Sequence, residues 1–235
     1  MTDESPIIVA LDFPNAKLTH AFLDRIRGRH CKLKVGLELF IAEGPGFVEQ
    51  LTRQGHQVFL DLKLHDIPNT VASACKSAAN LGAWMMTLHA SGGNEMLQAA
   101  HAAMSEGDHV TKLIAVTVLT SLDQQQLHSI GMQSSAEECV IQLAKVALQA
   151  KMDGIVCSVH EAQAVRRRWG LQPMIVTPGI RLRDDNKDDQ SRISTPQTAN
   201  ESGANYIVVG RPITQAKDPM YAMDQYLTHW ASNDS

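Results

Sequence analysis

The four cysteines of this 235-residue chain, Cys31, Cys75, Cys139 and Cys157, lie far apart and form no C-x-x-C pair. That spacing argues against a disulfide scaffold or a zinc ribbon and reads as reduced, buried thiols of a cytosolic protein. An excess of either charge is lacking too. A formal net charge of -4 gives no general attraction to nucleic acid or to an anionic membrane, so an anionic ligand must be held by local cations. Long apolar runs are missing. The longest uncharged stretch, Ser77 to Asn94, is interrupted by Ser, Asn, Thr, His and Gly and reads as a helix end followed by a strand, not as a membrane span. The first residues, Met1-Thr-Asp-Glu-Ser5, are acidic and unlike a signal peptide, so a cytoplasmic location is expected. No linker, low-complexity run or sequence repeat divides the chain. With 44% hydrophobic residues it can bury one large core, which predicts a single domain over residues 1–235.

What is present is a regular alternation. Apolar, β-rich runs recur at Ile7–Leu11, Lys32–Gly36, Val58–Leu62, Trp84–His89, Leu113–Leu119, Gly154–Cys157, Met174–Val176 and Tyr206–Val209. Between them lie stretches with helical spacing, such as Ala136–Ala150, where Val140, Leu143, Ala144, Ala147 and Leu148 share a face. Near-continuous hydrophobic strands between amphipathic helices imply parallel pairing covered on both sides. Eight such units predict a closed (β/α)8 barrel of the TIM type rather than an open doubly wound sheet. No G-x-G-x-x-G follows the first run, which weakens a dinucleotide-binding reading.

A barrel concentrates function at the C-terminal ends of its strands. In order, those ends carry Asp12, Lys34, Asp61 with Lys63, His89, Thr120-Ser121, Ser158 to His160, Thr177-Pro-Gly-Ile-Arg181 and Gly210-Arg211-Pro212. The densest cluster is Asp61-Leu-Lys-Leu-His-Asp-Ile-Pro-Asn-Thr70. Residues two apart on a strand share a face, so Asp61 and Lys63 project together, and Asp66 lies near enough to return to the same place. Opposite charges side by side at a strand mouth are costly unless they pair or do chemistry. Arg181 and Arg211 close the last two strands, where phosphate cradles form in this fold, and Gly210 permits close backbone approach. The polar run from Leu182 to Ser191 reads either as a solvated loop or as a lid over bound phosphate, with Gln190 reaching inward. Other conspicuous residues take plainer readings. His65 and His89 shape strand ends, Pro68 and Asn69 start and cap a helix, Arg166-Arg-Arg168 closes one, and Met85-Met86 fills core. Asp184, Asp185, Asp188 and Asp189 read as solvated acids.

Asp61-x-Lys63-x-x-Asp66-x-x-Asn69-Thr70, with Asp12, Lys34 and Gly210-Arg-Pro-Ile-Thr214, resembles orotidine 5'-phosphate decarboxylase of the bacterial type. Val9-Ala-Leu-Asp12, His89-Ala-Ser-Gly-Gly93, Thr117-Val-Leu-Thr120 and Thr177-Pro-Gly-Ile-Arg181 extend the similarity from Ile7 to about Tyr226. The resemblance implies decarboxylation of orotidine 5'-monophosphate (OMP) to UMP with no cofactor and no metal, by a homodimer with shared sites. It implies that Lys34, Asp61 and Lys63 come from one subunit, while Asp66 and Thr70 reach in from the other. Lys63 would protonate C6, and Asp12 and Lys34 would hold the ribose. Thr120 and Ser121 would lie against the pyrimidine. Gln190 would bridge base and phosphate, and Gly210, Arg211 and Arg181 would grip the phosphate. Two other readings stay open. A metal-dependent sugar-phosphate epimerase, or a decarboxylase of keto-sugar phosphates, would use Asp61, His65, Asp66 and His89 around a cation. A non-catalytic nucleotide-binding barrel would use the arginines alone.

Overall fold

A computed structural model describes residues 5–29, 31–107, 109–182 and 194–232. Eight strands form a closed barrel in sequence order: β1 Ile7–Ala10, β2 Lys32–Gly36, β3 Gln57–Leu64, β4 Met85–His89, β5 Lys112–Val116, β6 Gly154–Val156, β7 Met174–Thr177 and β8 Tyr206–Val209. All pairs are parallel, and β8 closes on β1 through Ile7↔Ile207 to Val9↔Val209. The described helices are α1 Ala16–Arg25, α2 Leu37–Glu43, α3 Pro45–Arg53, α4 Pro68–Asn80, α5 Gly93–Ser105, α6 Gln124–Ser129, α7 Ala136–Gln149, α8 Val159–Trp169, α9 Pro196–Glu201, α10 Arg211–Thr214 and α11 Pro219–Ala231. The alternating hydrophobic strands and helical faces thus build the expected (β/α)8 barrel.

Period-two alternation divides most strands between two cores. Ile8, Phe59, Met85, Ile114, Val176 and Tyr206 form one cluster, which fills the barrel. Their neighbours Ile7, Val9, Leu33, Val58, Leu60 and Met86 belong to the larger cluster shared with the helices. Helix starts are written locally. Ser135 with Glu138, and Asp123 with Gln126, are reciprocal capping boxes that satisfy first-turn N–H groups. All four cysteines are free and buried, and burial pushes the Cys31 thiol up to about 11 and the Cys75 thiol up to about 12.

Three local expectations change. The N-cap of α4 is Ile67, with Pro68 at the first helical position, so Asn69 lies inside the first turn and does not cap. The fifth strand ends at Val116, not Leu119, because the chain then leaves the ladder and carries Val118, Leu119 and Thr120 into the wall of the cleft at the barrel mouth. The third strand runs on to Leu64, two residues past its expected end, through an irregularity described below.

Candidate active site

At the C-terminal mouth of the barrel is a cleft of about 390 Å³. Of the residues singled out from sequence, it brings together Asp12, Lys34, Asp61, Lys63, Thr120, Ser121, Arg181, Gly210 and Arg211. Its floor is apolar, from Ala10, Phe59, Val116, Val156, Val176 and Val208. Low-dielectric walls on one side strengthen whatever charges face the cleft.

The charges form a chain of alternating sign. Lys34 Nζ lies 3.1 Å from Asp12 Oδ1 and 3.7 Å from Asp61 Oδ2. Lys63 Nζ then donates to Asp61 Oδ1 at 2.9 Å. Asp61 and Lys34 side chains are each only 13% exposed, so neither could stand there unpaired. Burial would raise the Asp61 carboxyl. The Lys34 and Lys63 ammoniums, with hydrogen bonds from Lys63 and Thr87, outweigh burial and hold it below the usual carboxylate range. The site therefore keeps Asp61 as a carboxylate between the two lysines.

Two glycines leave room for this chain of charges. A Cβ on Gly36 would stand 3.0 Å from Lys34 Nζ, and one on Gly210 would stand 3.2 Å from Asp12 Oδ2. Either methyl would press on a charged group that the site needs in place. Gly210 also precedes α10, and Arg211 is that helix's first residue. Arg181, buried to 7% exposure, donates through Nη1 to the Ile180 carbonyl at 2.9 Å and faces the same cleft.

Asp61 and Lys63 meet, but not as neighbours on one face of a regular strand. The β3–β4 register jumps from Leu60↔Met86 to Leu64↔Leu88, so Asp61, Leu62 and Lys63 stand opposite Thr87 alone. Lys63 takes a left-handed φ of 51°, unusual for a residue with a side chain and costing on the order of 1–2 kcal/mol. The fully buried Thr87 holds the bulge. Its hydroxyl donates to Asp61 Oδ1 and accepts the Lys63 backbone N–H, both at 2.9 Å. Nothing in the strand pattern marked Thr87 as part of the site. A hydroxyl interrupting the apolar run Met85-Met86-Thr87-Leu88, beside the motif strand, is the signal it offered.

Other residues fall elsewhere. Asp66 and Thr70 are exposed and absent from their own chain's cleft, and the Asp66 carboxylate accepts the Ile67 N–H at 2.6 Å. Asp66 does not return to the Asp61 site in the same chain, because Pro68 turns the backbone into α4. Strands β4 and β6 contribute no polar side chain from the expected set. His89 packs against His65 with ring centroids 5.4 Å apart. Burial, then the neighbouring His65 and Lys63 side chains, lower its pKa, which favours the neutral ring. Ser158 and Glu161 are buried in a capping box at the start of α8, and His160 is exposed. Arg166 is a bolt rather than a plain solvated charge, donating to the carbonyls of Gly170, Pro173 and Gly203 and to Asn205. Gln190, Asp184, Asp185, Asp188, Asp189 and all but Leu182 of the expected lid lie outside the described residues.

Comparison with known proteins now decides the family. Residues 5–226 match the profile of the orotidine 5'-phosphate decarboxylase / HUMPS family. The chain belongs to that family. It is 51% identical over 219 residues to the orotidine 5'-phosphate decarboxylase of Pseudoalteromonas atlantica, covering 93% of this chain and 95% of the relative. It is 51% identical over 217 residues to that of Neisseria meningitidis serogroup A, covering 92% and 88%. The crystal structure of orotidine 5'-phosphate decarboxylase from Lactobacillus acidophilus superposes with a TM-score of 0.87 at 38% identity, covering 97% of this chain and all of that one. An uncharacterized conserved protein from Geobacillus kaustophilus superposes with a TM-score of 0.84 at 39% identity, covering 96% and 100%. The family match thus covers the whole barrel, including the strand ends that line the cleft described above.

Proposed function

We propose that the chain catalyses decarboxylation of OMP to UMP and CO2, the last step of de novo pyrimidine nucleotide synthesis, without a cofactor. The observation that carries the reading is the Asp12–Lys34–Asp61–Lys63 chain of alternating charge at the barrel mouth. Breaking the C6–carboxylate bond leaves its electron pair in an sp2 orbital that the ring π system cannot delocalise. Stabilisation must come from fixed charge, placed before the bond breaks. The Lys63 ammonium, held by Asp61 at 2.9 Å, faces the developing carbanion and then transfers its proton to C6, while CO2 departs. Each tenfold in rate requires about 1.4 kcal/mol of selective transition-state stabilisation. Alternating signs let such a field be assembled without strong net repulsion.

Around that centre, Asp12 and Lys34 hold the ribose, and Thr120 with Ser121 lies against the pyrimidine. Arg181, Gly210 and Arg211 grip the phosphate, joined by Gln190. Phosphate binding energy, remote from C6, orients the ring over Lys63. The metal-dependent alternative fits the donor set poorly. Among the described residues no three His, Cys, Asp or Glu side chains gather as a cation would require, and Lys34 and Lys63 put two ammoniums in the cleft.

The working unit in this reading is a homodimer of single-domain cytoplasmic barrels, with Asp66 and Thr70 completing the partner's cleft. Two features support it. Both residues are exposed and outside the cleft of their own chain. Leu37, Ile41 and Ile67, beyond the C-terminal ends of the paired strands β2 and β3, are 51%, 79% and 67% exposed, an apolar surface that suits a partner. Among the described residues no helix is long and apolar enough to cross a membrane.

The deciding experiment follows OMP absorbance after adding purified protein in excess EDTA. Rapid conversion to UMP is expected. Folded protein that leaves OMP unchanged would sink the assignment, and activity restored only by a divalent cation would move it to the metal-dependent reading.

A further inference from the structure

The irregularity in β3 points to a residue outside the cleft on which the charged centre depends. Between the paired positions Leu60↔Met86 and Leu64↔Leu88, β3 carries three residues and β4 carries one, Thr87. A bulge of this kind leaves backbone groups without ladder partners and re-aims side chains. Here it points Lys63 at Asp61 by way of a left-handed φ of 51°. Such a conformation persists only where the surroundings over-determine it. Thr87 supplies that constraint. Its single hydroxyl accepts the Lys63 N–H and donates to the Asp61 carboxylate, each at 2.9 Å, and the side chain is wholly buried.

We infer that Thr87 is a positioning residue for decarboxylation: its hydroxyl fixes Asp61 and Lys63 as one unit and so sets where the Lys63 ammonium stands. The inference rests on the role given to Lys63 above. Thr87 is no part of the cleft wall; it borders an apolar cavity of about 500 Å³ with Leu60, Leu62 and Leu64, so it touches no substrate. A hydroxyl that is both donor and acceptor suits this place. Valine matches its shape but offers neither, so the Lys63 N–H and one Asp61 lone pair would be buried unpaired. Serine retains both functions and lacks only the methyl. The phosphate and ribose contacts come from β1, β2, β7 and β8, which Thr87 does not join. Its loss should therefore act on the chemical step and spare binding.

The test compares Thr87→Val, Thr87→Ala and Thr87→Ser, each checked for folding by circular dichroism, with kcat and KM for OMP measured on the full chain. A folded variant lacking the hydroxyl should lose about thirtyfold in kcat, since misplacing a catalytic group by an ångström costs up to about a hundredfold. KM should change less than about threefold. Serine should recover kcat to within about fivefold of wild type. If valine fails to fold, alanine, which removes the hydroxyl without adding a methyl, replaces it. If neither folds, serine alone decides, and a folded serine variant with kcat depressed about thirtyfold overturns the inference. Equal loss in serine and in the hydroxyl-free variants, unchanged kcat in a folded hydroxyl-free variant, or a rise in KM that matches the fall in kcat would also overturn it. Lys63→Ala is run alongside. If that variant turns over OMP normally, the reading of the site itself is wrong; if it is inactive while Thr87→Ala is normal, only the inference about Thr87 fails.

Discussion

Replacing Asp61 by asparagine tests whether the charged chain is net stabilising or merely tolerated. The substitution keeps size and shape and removes one negative charge between two ammoniums. Lys63 lies 2.9 Å away and Lys34 3.7 Å away. At an effective dielectric near 20, each attraction is on the order of 4–6 kcal/mol. Opposing them is the desolvation of a carboxylate, several kcal/mol per ion in real proteins. The downward displacement of the Asp61 pKa means that attraction wins. Lys34 keeps Asp12 at 3.1 Å and the Lys63 side chain is 31% exposed, so neither lysine is left wholly unpaired. The loss should therefore sit near the lower end of the 3–5 kcal/mol range for a broken buried pair, about 3 kcal/mol at pH 7. At a urea m-value of about 3 kcal/mol/M, the unfolding midpoint falls by about 1 M at fixed protein concentration. The pH dependence has a definite sign. A carboxyl with a depressed folded pKa stabilises the fold above its unfolded value, near 3.9, and loses that contribution as pH falls through the folded one. The wild-type advantage should be full at pH 7 and pH 5 and shrink below about pH 4. Equal midpoints at pH 7, or a gap that persists undiminished in acid, would refute the argument from alternating charge.

Gly210→Ala should raise KM for OMP about tenfold with little change in thermal midpoint, because the new methyl presses on Asp12 Oδ2 at 3.2 Å and meets the core residue Ala10 only at an ordinary contact distance of 3.5 Å; an unaltered KM would deny that this strand end contacts substrate. Arg211→Ala should lower kcat/KM by about a hundredfold or more, the worth of a charge-assisted bidentate contact to phosphate, read by steady-state kinetics. A loss of less than about threefold would place the phosphate elsewhere. Mixing inactive Lys63→Ala with inactive Asp66→Asn should restore about a quarter of wild-type activity, since half of the dimers would be hybrids and each hybrid would hold one intact site; no recovery after confirmed subunit exchange would assign Asp66 to its own chain.

The barrel was legible because each strand is buried on both sides, and its residues therefore read as short apolar runs regardless of register. Ile7–Ala10 and Tyr206–Val209 could hardly be anything else between helical stretches. Site residues at strand ends were legible for the same reason: a charge such as Lys34 in an apolar run has to answer to something. What sequence could not display was the relation between strands. The β3 bulge depends on where β4 pairs, and the alternation rule put Asp61 and Lys63 together by the wrong geometry. Thr87 showed only as a hydroxyl in an apolar run, with nothing in the sequence to say what it faced. Asp66 showed a different failure: five residues from Asp61 along the chain, it is separated from that site by a turn whose course Pro68 decides.

Strand β2 shows how one fold keeps stability and chemistry apart. It carries two inward lysines two residues apart, and among the described residues their surroundings differ. Lys32, only 4% exposed, donates to the Ser5 carbonyl at 2.8 Å. Its ammonium also lies 5.6 Å from the Trp84 ring and 5.1 Å from the Tyr206 ring, and those rings pack edge to face. A carbonyl dipole and two aromatic faces both stabilise a cation there. Lys34, one pleat further along, meets two carboxylates in an open cleft. Toward the N-terminal end of the barrel the lysine is buried against a carbonyl and two rings, and toward the C-terminal end it faces an open cleft. That division follows from the parallel barrel itself, in which all eight loops leading to helices leave from one end. Given the same residue type on the same strand, position along the barrel axis decides which role it takes.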